Sequence, residues 1–417
     1  MLIKTLLNKI EKYSSFVYSR VNFGVQNCIE CLVIEINPRM SSKGKCPECH
    51  RGCPTYDTSR KPRFFSYVPI WGFPVYFSYR PRRVSCTKHG ILTEYLPWSN
   101  GKQRLTNTYK IFLGCWAKRL SWAEVADVFM TSWDTVFNSV KWLVEQGLKN
   151  RVLDQIESIG IDELQVFNGH NYMTLVYQID QYCKRLLWCG KDRTSKTLLR
   201  FFRVLGKERT QLLKYICTDM WQPYLKVIHK KAPWALNILD RFHIMKKFND
   251  AIDTIRREEY RLDYQSQKYL KKARWLFLKR EENLTEKQFL KLKDLLNREL
   301  KSVKAYLLKK DFLRFWNYKY KKSAEKFLRK WCTRTNRTKL KPMKKVSKML
   351  TAKSALILNW FDTNPRLSSG IVEGYNNKAK LTIKKAYGFK SEEYLQYALY
   401  HTLGKLPLPE LTHRFNC

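Results

Sequence analysis

ESIGIDEL, residues 157–164, reads as a short apolar strand ending in an acid. YMTLVYQID (172–180) and RLLWCG (185–190) read as two more strands, joined by a polar turn. TSKTLLRFFRVL (194–205) carries its apolar residues at helical spacing. YICTDM (215–220) is a fourth strand ending in an acid, residues 224–229 are helical, and ALNILD (235–240) is a fifth strand. The order β-β-β-α-β-α-β predicts a ribonuclease-H-like α/β domain, an antiparallel half continued by parallel strands.

The acids at these strand ends carry the first chemical expectation. Asp162 follows Ile159-Gly160-Ile161, and Asp219 follows Ile216-Cys217-Thr218. Two carboxylates at adjacent strand ends repel unless a cation lies between them. Hard oxygen ligands suit Mg2+ or Mn2+. A third carboxylate would complete the site, and Glu373 is the candidate. Ser369-Gly370 reads as a helix start, with Glu373 near the first turn and Gly374 allowing close approach of another backbone. Glu373, Asn377, Lys380 and Lys384 then fall on one helical face. Lys378, Lys380, Lys384, Lys385 and Lys390 have no acid among them over 378–390. Asp180, ending the second strand, reads as an outer acid or a turn cap.

Upstream, Cys46-Pro-Glu-Cys49 and Cys86-Thr-Lys-His89 form two knuckles around an aromatic, β-branched stretch that predicts a hairpin. Four such ligands suit a closed tetrahedral Zn2+ site, a zinc ribbon. Cys28 and Cys31 form a competing pair. However, CIECLVIEI (28–36) reads as one strand, whose residues three apart face opposite sides. His50 and Cys53 are possible substitutes. Cys115, Cys183, Cys189 and Cys217 are isolated among apolar residues and read as core thiols.

Between the knuckles and the first strand, the pattern is helical. Ser121-Trp-Ala-Glu124 is a capping box opening a helix to Phe129. Met130-Thr131-Ser132 is a turn, and a second helix runs from Trp133 to about Gln146, stopped by Gly147. This predicts a helix-turn-helix whose second helix enters the major groove. The helix carries a single basic residue, Lys141, and base contacts would come from Ser132, Asp134, Thr135, Asn138 and Ser139.

Composition agrees. The chain has 79 Lys and Arg against 36 Asp and Glu, a net +43, and its 44% hydrophobic content excludes disorder. Such a charge calls for a polyanion, DNA or RNA. Residues 241–350 hold 34 bases and 12 acids, so +22 sits in that stretch. It reads as a helical insertion with a phosphate-tracking surface. Its aromatics (Trp275, Phe277, Phe312, Phe315, Trp316, Tyr318, Tyr320) read mainly as core. No apolar run reaches the ~18 residues of a membrane helix. The start, with Lys4, Lys9, Glu11 and Lys12, reads as an amphipathic helix, not a signal peptide. The expected compartment is the reducing cytoplasm.

IGIDE (159–163), CTDM with Trp221 and Pro223-Tyr224, DRFH (240–243), SSGIVEGYNNKAK (368–380) and AYGF (386–389) occur in this order. Together with the knuckles and Pro97-Trp98, they resemble the ISL-three family of bacterial DDE insertion-sequence transposases over nearly the whole chain. The resemblance implies a catalytic triad Asp162, Asp219 and Glu373, with Asp240 and His243 as a further motif. It also implies a ribonuclease-H-like domain interrupted by an all-α insertion before the Glu. His89 stands where the family more often has Cys, and Ser369 where it more often has Asn.

The expected organisation is a strand-rich zinc-binding domain (1–98), a helix-turn-helix (99–150), the catalytic domain in two parts (151–245 and 356–417) and the helical insertion (246–355). The expected activity is binding of terminal inverted repeats, then Mg2+-dependent cleavage and strand transfer on double-stranded DNA. A homodimer or larger assembly would act in the bacterial cytoplasm, without membrane contact. Thr135, Asn138, Lys141, Asn377, Lys378, Lys380, Lys384 and Lys385 are the expected DNA contacts. The alternatives are a DNA-binding regulator, or a nuclease of the same fold that cuts without joining.

Overall fold

The computed structural model describes residues 2–409, except 27, 167–170, 263, 280 and 364–369. The chain forms two compact units, one running to Val152 and resuming at Leu381, the other spanning Leu153–Lys380.

The first unit opens with α1 (Ile3–Ile10), which buries Leu7. The strands β1 (Phe16–Gln26), β2 (Ile29–Pro38), β3 (Gly44–Lys45), β4 (Gly52–Cys53), β5 (Thr55–Thr58), β6 (Arg63–Ile70), β7 (Phe73–Tyr79), β8 (Arg82–Cys86) and β9 (Gly90–Thr93) follow. They form a four-stranded sheet β1-β2-β7-β6, a three-stranded sheet β5-β8-β9 and the ribbon β3-β4. The aromatic stretch between the knuckles is the expected hairpin, β6–β7, turning on Trp71 and Gly72, both at positive φ. Its inward residues Phe65, Phe77 and Tyr79 share one buried cluster with Phe16, Ile34 and Trp98, and the Phe16, Phe65 and Tyr79 rings stand edge-on to Trp98. The strand expected from Cys28 starts one residue later. Cys28 sits in the turn at φ 63, exposed, while Cys31 is buried in β2.

The helices α2 (Asn107–Ala117), α3 (Trp122–Val128) and α4 (Trp133–Asn150) come next. Ser121 and Glu124 make the reciprocal capping box, and Ser132 caps α4. Gly147 does not stop α4, which runs on to Asn150. A Cβ there would lie 2.6 Å from Leu406 Cβ, so this glycine serves close packing. Cys115 also departs from expectation: on a half-buried face of α2, it is disulfide-bonded rather than a core thiol.

The second unit holds β10 (Ser158–Gln165), β11 (Tyr172–Ile179), β12 (Lys184–Lys191), α5 (Ser195–Leu205), α6 (Lys207–Gln211), β13 (Tyr215–Thr218), α7 (Gln222–Lys231) and β14 (Leu236–Leu239). The sheet order is β12-β11-β10-β13-β14. β12, β11 and β10 are antiparallel neighbours, while β10, β13 and β14 run parallel. One face is apolar: Ile159, Ile161 and Ile216 meet Leu198 and Phe201 of α5 and Tyr224 and Ile228 of α7.

A run of helices follows: α8 (Arg241–Tyr260), α9 (Tyr264–Leu270), α10 (Arg274–Leu278), α11 (Glu286–Leu296), α12 (Lys301–Phe312), α13 (Lys321–Asn336), α14 (Lys341–Ala352) and α15 (Ser354–Leu358). Phe248, Phe277, Phe312, Phe315 and Trp331 form its core. Of the interleaved aromatics, Trp275 and Tyr320 are exposed. The chain then enters α16 (Gly370–Lys385), and Ser368 and Ser369 lie outside the described residues. The last helix, α17 (Glu392–Leu403), brings Ala398 to the core of α2, α3 and α4. No helix among the described residues is long and apolar enough to cross a membrane.

Candidate functional site

The parallel strands line up three acids. Gly160 pairs with Cys217, and Cys217 with Ile238. Two residues further along stand Asp162, within β10, and Asp219 and Asp240, each just past the end of its strand, at one end of three neighbouring strands spaced about 4.8 Å apart. This is the carboxyl end of the parallel strands, where open α/β sheets place their sites. Asp219 and Asp240 are buried, and Asp162 is half-buried. Burial raises the Asp162 carboxyl above its usual range; His243 opposes this, and Asp240 and Asp219 add to it. Carboxylate oxygens are the ligand type hard divalent cations take. Among the described residues, however, only the atoms of Cys46, Cys49, Cys86 and His89 converge within 4.8 Å, so these acids and Glu373 are not drawn into one ligand cluster.

Each acid is held in place. Asp162 Oδ1 accepts from Glu163 N at 2.8 Å, and Oδ2 from Asn376 Nδ2 at 2.5 Å. Asn376 Oδ1 accepts in turn from Tyr177 OH at 2.9 Å. Asp219 Oδ1 accepts from Trp221 N at 2.9 Å, and Oδ2 from Arg193 Nη2 at 2.8 Å. Asp240 caps α8 through Phe242 N and pairs with His243 Nδ1 at 2.8 Å. That hydrogen bond raises the His243 pKa, favouring the imidazolium.

Gly160 brings the helix carrying Glu373 to the sheet. A Cβ on Gly160 would lie 2.4 Å from Val372 Cγ2. Gly374, expected to allow close approach, instead faces open space. Glu373 is exposed, one turn before Asn376, on the face that also exposes Asn377, Lys380 and Lys384. Lys378 is exposed too, over the Tyr375 ring. Lys385 donates to the carbonyls of Ala117 and Lys118 at the end of α2. Asp180 lies at the other end of the strands, accepting from Gln178 Nε2 and Glu157 N.

Three contributors escape sequence reasoning. Glu163 is paired with Arg193 Nε at 2.8 Å, and its own pKa is pushed up to about 8, mainly by burial. Arg193 reaches both Glu163 and Asp219, its guanidinium 4.5 Å from the Trp221 ring centroid. Asn376 is the third. Glu163 stands inside the IGIDE motif and Asn376 at i+3 from Glu373, whereas Arg193 had no sequence signal.

The knuckles converge. Cys46 Sγ lies 3.5 Å and Cys86 Sγ 3.7 Å from His89 Nδ1, and Cys49 Sγ lies 3.7 Å from Cys86 Sγ. Corners of a tetrahedron with Zn–S about 2.3 Å and Zn–N about 2.05 Å would be roughly 3.5–3.8 Å apart. All four ligand atoms lie within 4.8 Å of one another, so the set could bind such an ion. N–H groups of Lys88 and His89 lower the Cys86 thiol to about 6. Cys53 is buried beside the cluster, and His50 stands edge-on to Tyr95.

On α4, Asn138 is exposed, and Thr135 is engaged with the Ser132 cap. Lys141 pairs with Glu393 at 2.9 Å.

The sequence profile of a family described as transposase, of the ISL3 DDE type, matches residues 159–399. The chain is 27% identical over 332 residues to the transposase for insertion sequence element IS1001 of Bordetella parapertussis, covering 78% of this chain and 81% of that protein. It is 25% identical over 390 residues to the transposase for insertion sequence element IS1557 of Mycobacterium tuberculosis, covering 87% and 86%.

Proposed function

Because the chain belongs to the ISL3 family of transposases, we propose that it binds the terminal inverted repeats of an insertion sequence and catalyses metal-dependent cleavage and strand transfer. The observation that carries this reading is that Asp162, Asp219 and Asp240 stand at one end of neighbouring parallel strands, with the Glu373 helix packed on the same sheet through Gly160. The strand order and helical run of Leu153–Lys380 support a ribonuclease-H-like domain with an all-α insertion.

Asp162, Asp219 and Glu373 would hold Mg2+ or Mn2+, which when bound supplies water activation and neutralises charge on the scissile phosphate. Asn376 fixes the orientation of Asp162, and Trp221 N with Arg193 fixes that of Asp219. His243 has Nδ1 committed to Asp240, so Nε2 is the nitrogen left to act on the phosphate or the attacking water. The exposed lysines of α16 track the DNA backbone. The helices α3 and α4 form the helix-turn-helix, and Cys46, Cys49, Cys86 and His89 hold a structural zinc. Two element ends require at least a dimer, acting in the cytoplasm on nucleoid DNA.

The test is Asp162→Ala with terminal-repeat DNA and Mg2+. Cleavage and strand transfer are lost while DNA binding stays. Cleavage by the variant would overturn the assignment, and cleavage without joining by the wild type would favour a nuclease.

A further inference from the structure

We propose that Arg193 is a resident counter-cation of the metal site, a positioning residue that holds Asp219 and Glu163 in the metal-free protein and opposes the incoming metal charge. This rests on the metal-site reading above.

Asp162 and Asp219 crowd one end of the sheet, and charges of one sign held that close in a part-dry site repel. Arg193 is built to offset this. Its Nη2 donates to Asp219 Oδ2 at 2.8 Å, and its Nε lies 2.8 Å from Glu163 Oε1, an ion-pair contact without hydrogen-bond alignment, so one guanidinium touches two acids. The two side-chain acids are about one-tenth exposed, and the guanidinium about one-third. Trp221 completes the clamp: its ring lies under the guanidinium, and its N–H takes the other oxygen of Asp219. Both oxygens of Asp219 therefore have a set direction before any metal arrives.

The backbone either side of Arg193 is pinned. Asp192 N donates to Tyr172 O at 2.8 Å, and Asp192 O accepts from Thr174 Oγ1 at 2.6 Å. On the other side, Thr194 caps α5 through Thr197 N at 3.1 Å. With the backbone held, the guanidinium is kept in place by its own contacts to Asp219, Glu163 and the Trp221 ring. It remains beside the carboxylates when metal binds, and its charge lowers metal affinity. The gain is a preset geometry for Asp219.

The experiment compares wild type, Arg193→Gln and Arg193→Lys as full chains. Mn2+ binding is followed by electron paramagnetic resonance, and melting is measured with and without Mn2+. In Arg193→Gln, the metal-free protein melts lower, Mn2+ binds about tenfold tighter and the metal-induced rise in Tm grows. Arg193→Lys keeps the charge, so its Mn2+ affinity stays near wild type. If Arg193→Gln melts lower but binds Mn2+ no more tightly, Arg193 is a structural residue only and the proposal fails. Wild-type Mn2+ binding that survives Asp162→Asn with Asp219→Asn would overturn the metal-site reading itself.

Discussion

Asn376 Nδ2 lies 2.5 Å from Asp162 Oδ2, joining α16 to β10 across 214 residues of sequence. Asn376 is itself fixed by the buried Tyr177 hydroxyl. The orientation of the first acid thus depends on the helix that carries Glu373.

Asn376→Ala is expected to lower cleavage by roughly 10–100-fold, the usual cost of losing a group that orients a metal ligand. Tyr177→Phe removes only the outer link and is expected to cost less. Single-turnover cleavage of both variants checks the order. Equal activity of Asn376→Ala and wild type would sink the positioning role.

Gly160→Ala is expected to destabilise the second unit by about 1–3 kcal/mol, because the new methyl meets Val372 Cγ2 at 2.4 Å. Adding Val372→Ala makes room and restores most of the loss. Urea unfolding of the single and double variants measures it, and simple additivity would show that the two residues do not meet.

One zinc per chain is expected by elemental analysis of the purified protein. Cys49→Ser or Cys86→Ser loses it and lowers the melting temperature of the β-rich part, because a site this small folds with its metal. Cys53→Ser keeps the zinc, its thiol lying beside the cluster rather than within the four-ligand set.

His401 gives a pH prediction. It is buried with neither ring nitrogen hydrogen-bonded, and burial first, then Lys118 and Lys385, lowers its pKa to about 3. The unfolded chain takes up this proton near the ordinary value of about 6.5. Its cost is therefore absent above that pH and grows as pH falls towards the folded value, reaching roughly 3 kcal/mol by pH 4. His401→Phe should flatten the fall in stability between pH 6.5 and 4. An unchanged pH profile would refute the assignment.

The strand and helix pattern from Ser158 to Leu239 was legible because each element has a local period: β-branched runs in the strands and apolar residues at helical spacing in α5. The two Cys/His knuckles were legible for the same reason, their side chains being three apart on tight turns. Gly147 and Gly374 were not. A glycine's role depends on what lies opposite it, and neither Leu406 nor the open space beside Gly374 is local in sequence.

Sequence by itself determined which acids end strands, which cysteines form knuckles and where positive charge accumulates, since all three follow from neighbours within a few residues. Tertiary structure alone decided that Asp162, Asp219 and Asp240 stand at one end of neighbouring strands, and that Asn376 and Arg193 hold the first two. Parallel strand register and side-chain hydrogen bonds are set by packing between distant segments. No local pattern specifies which arginine among 79 basic residues reaches Asp219.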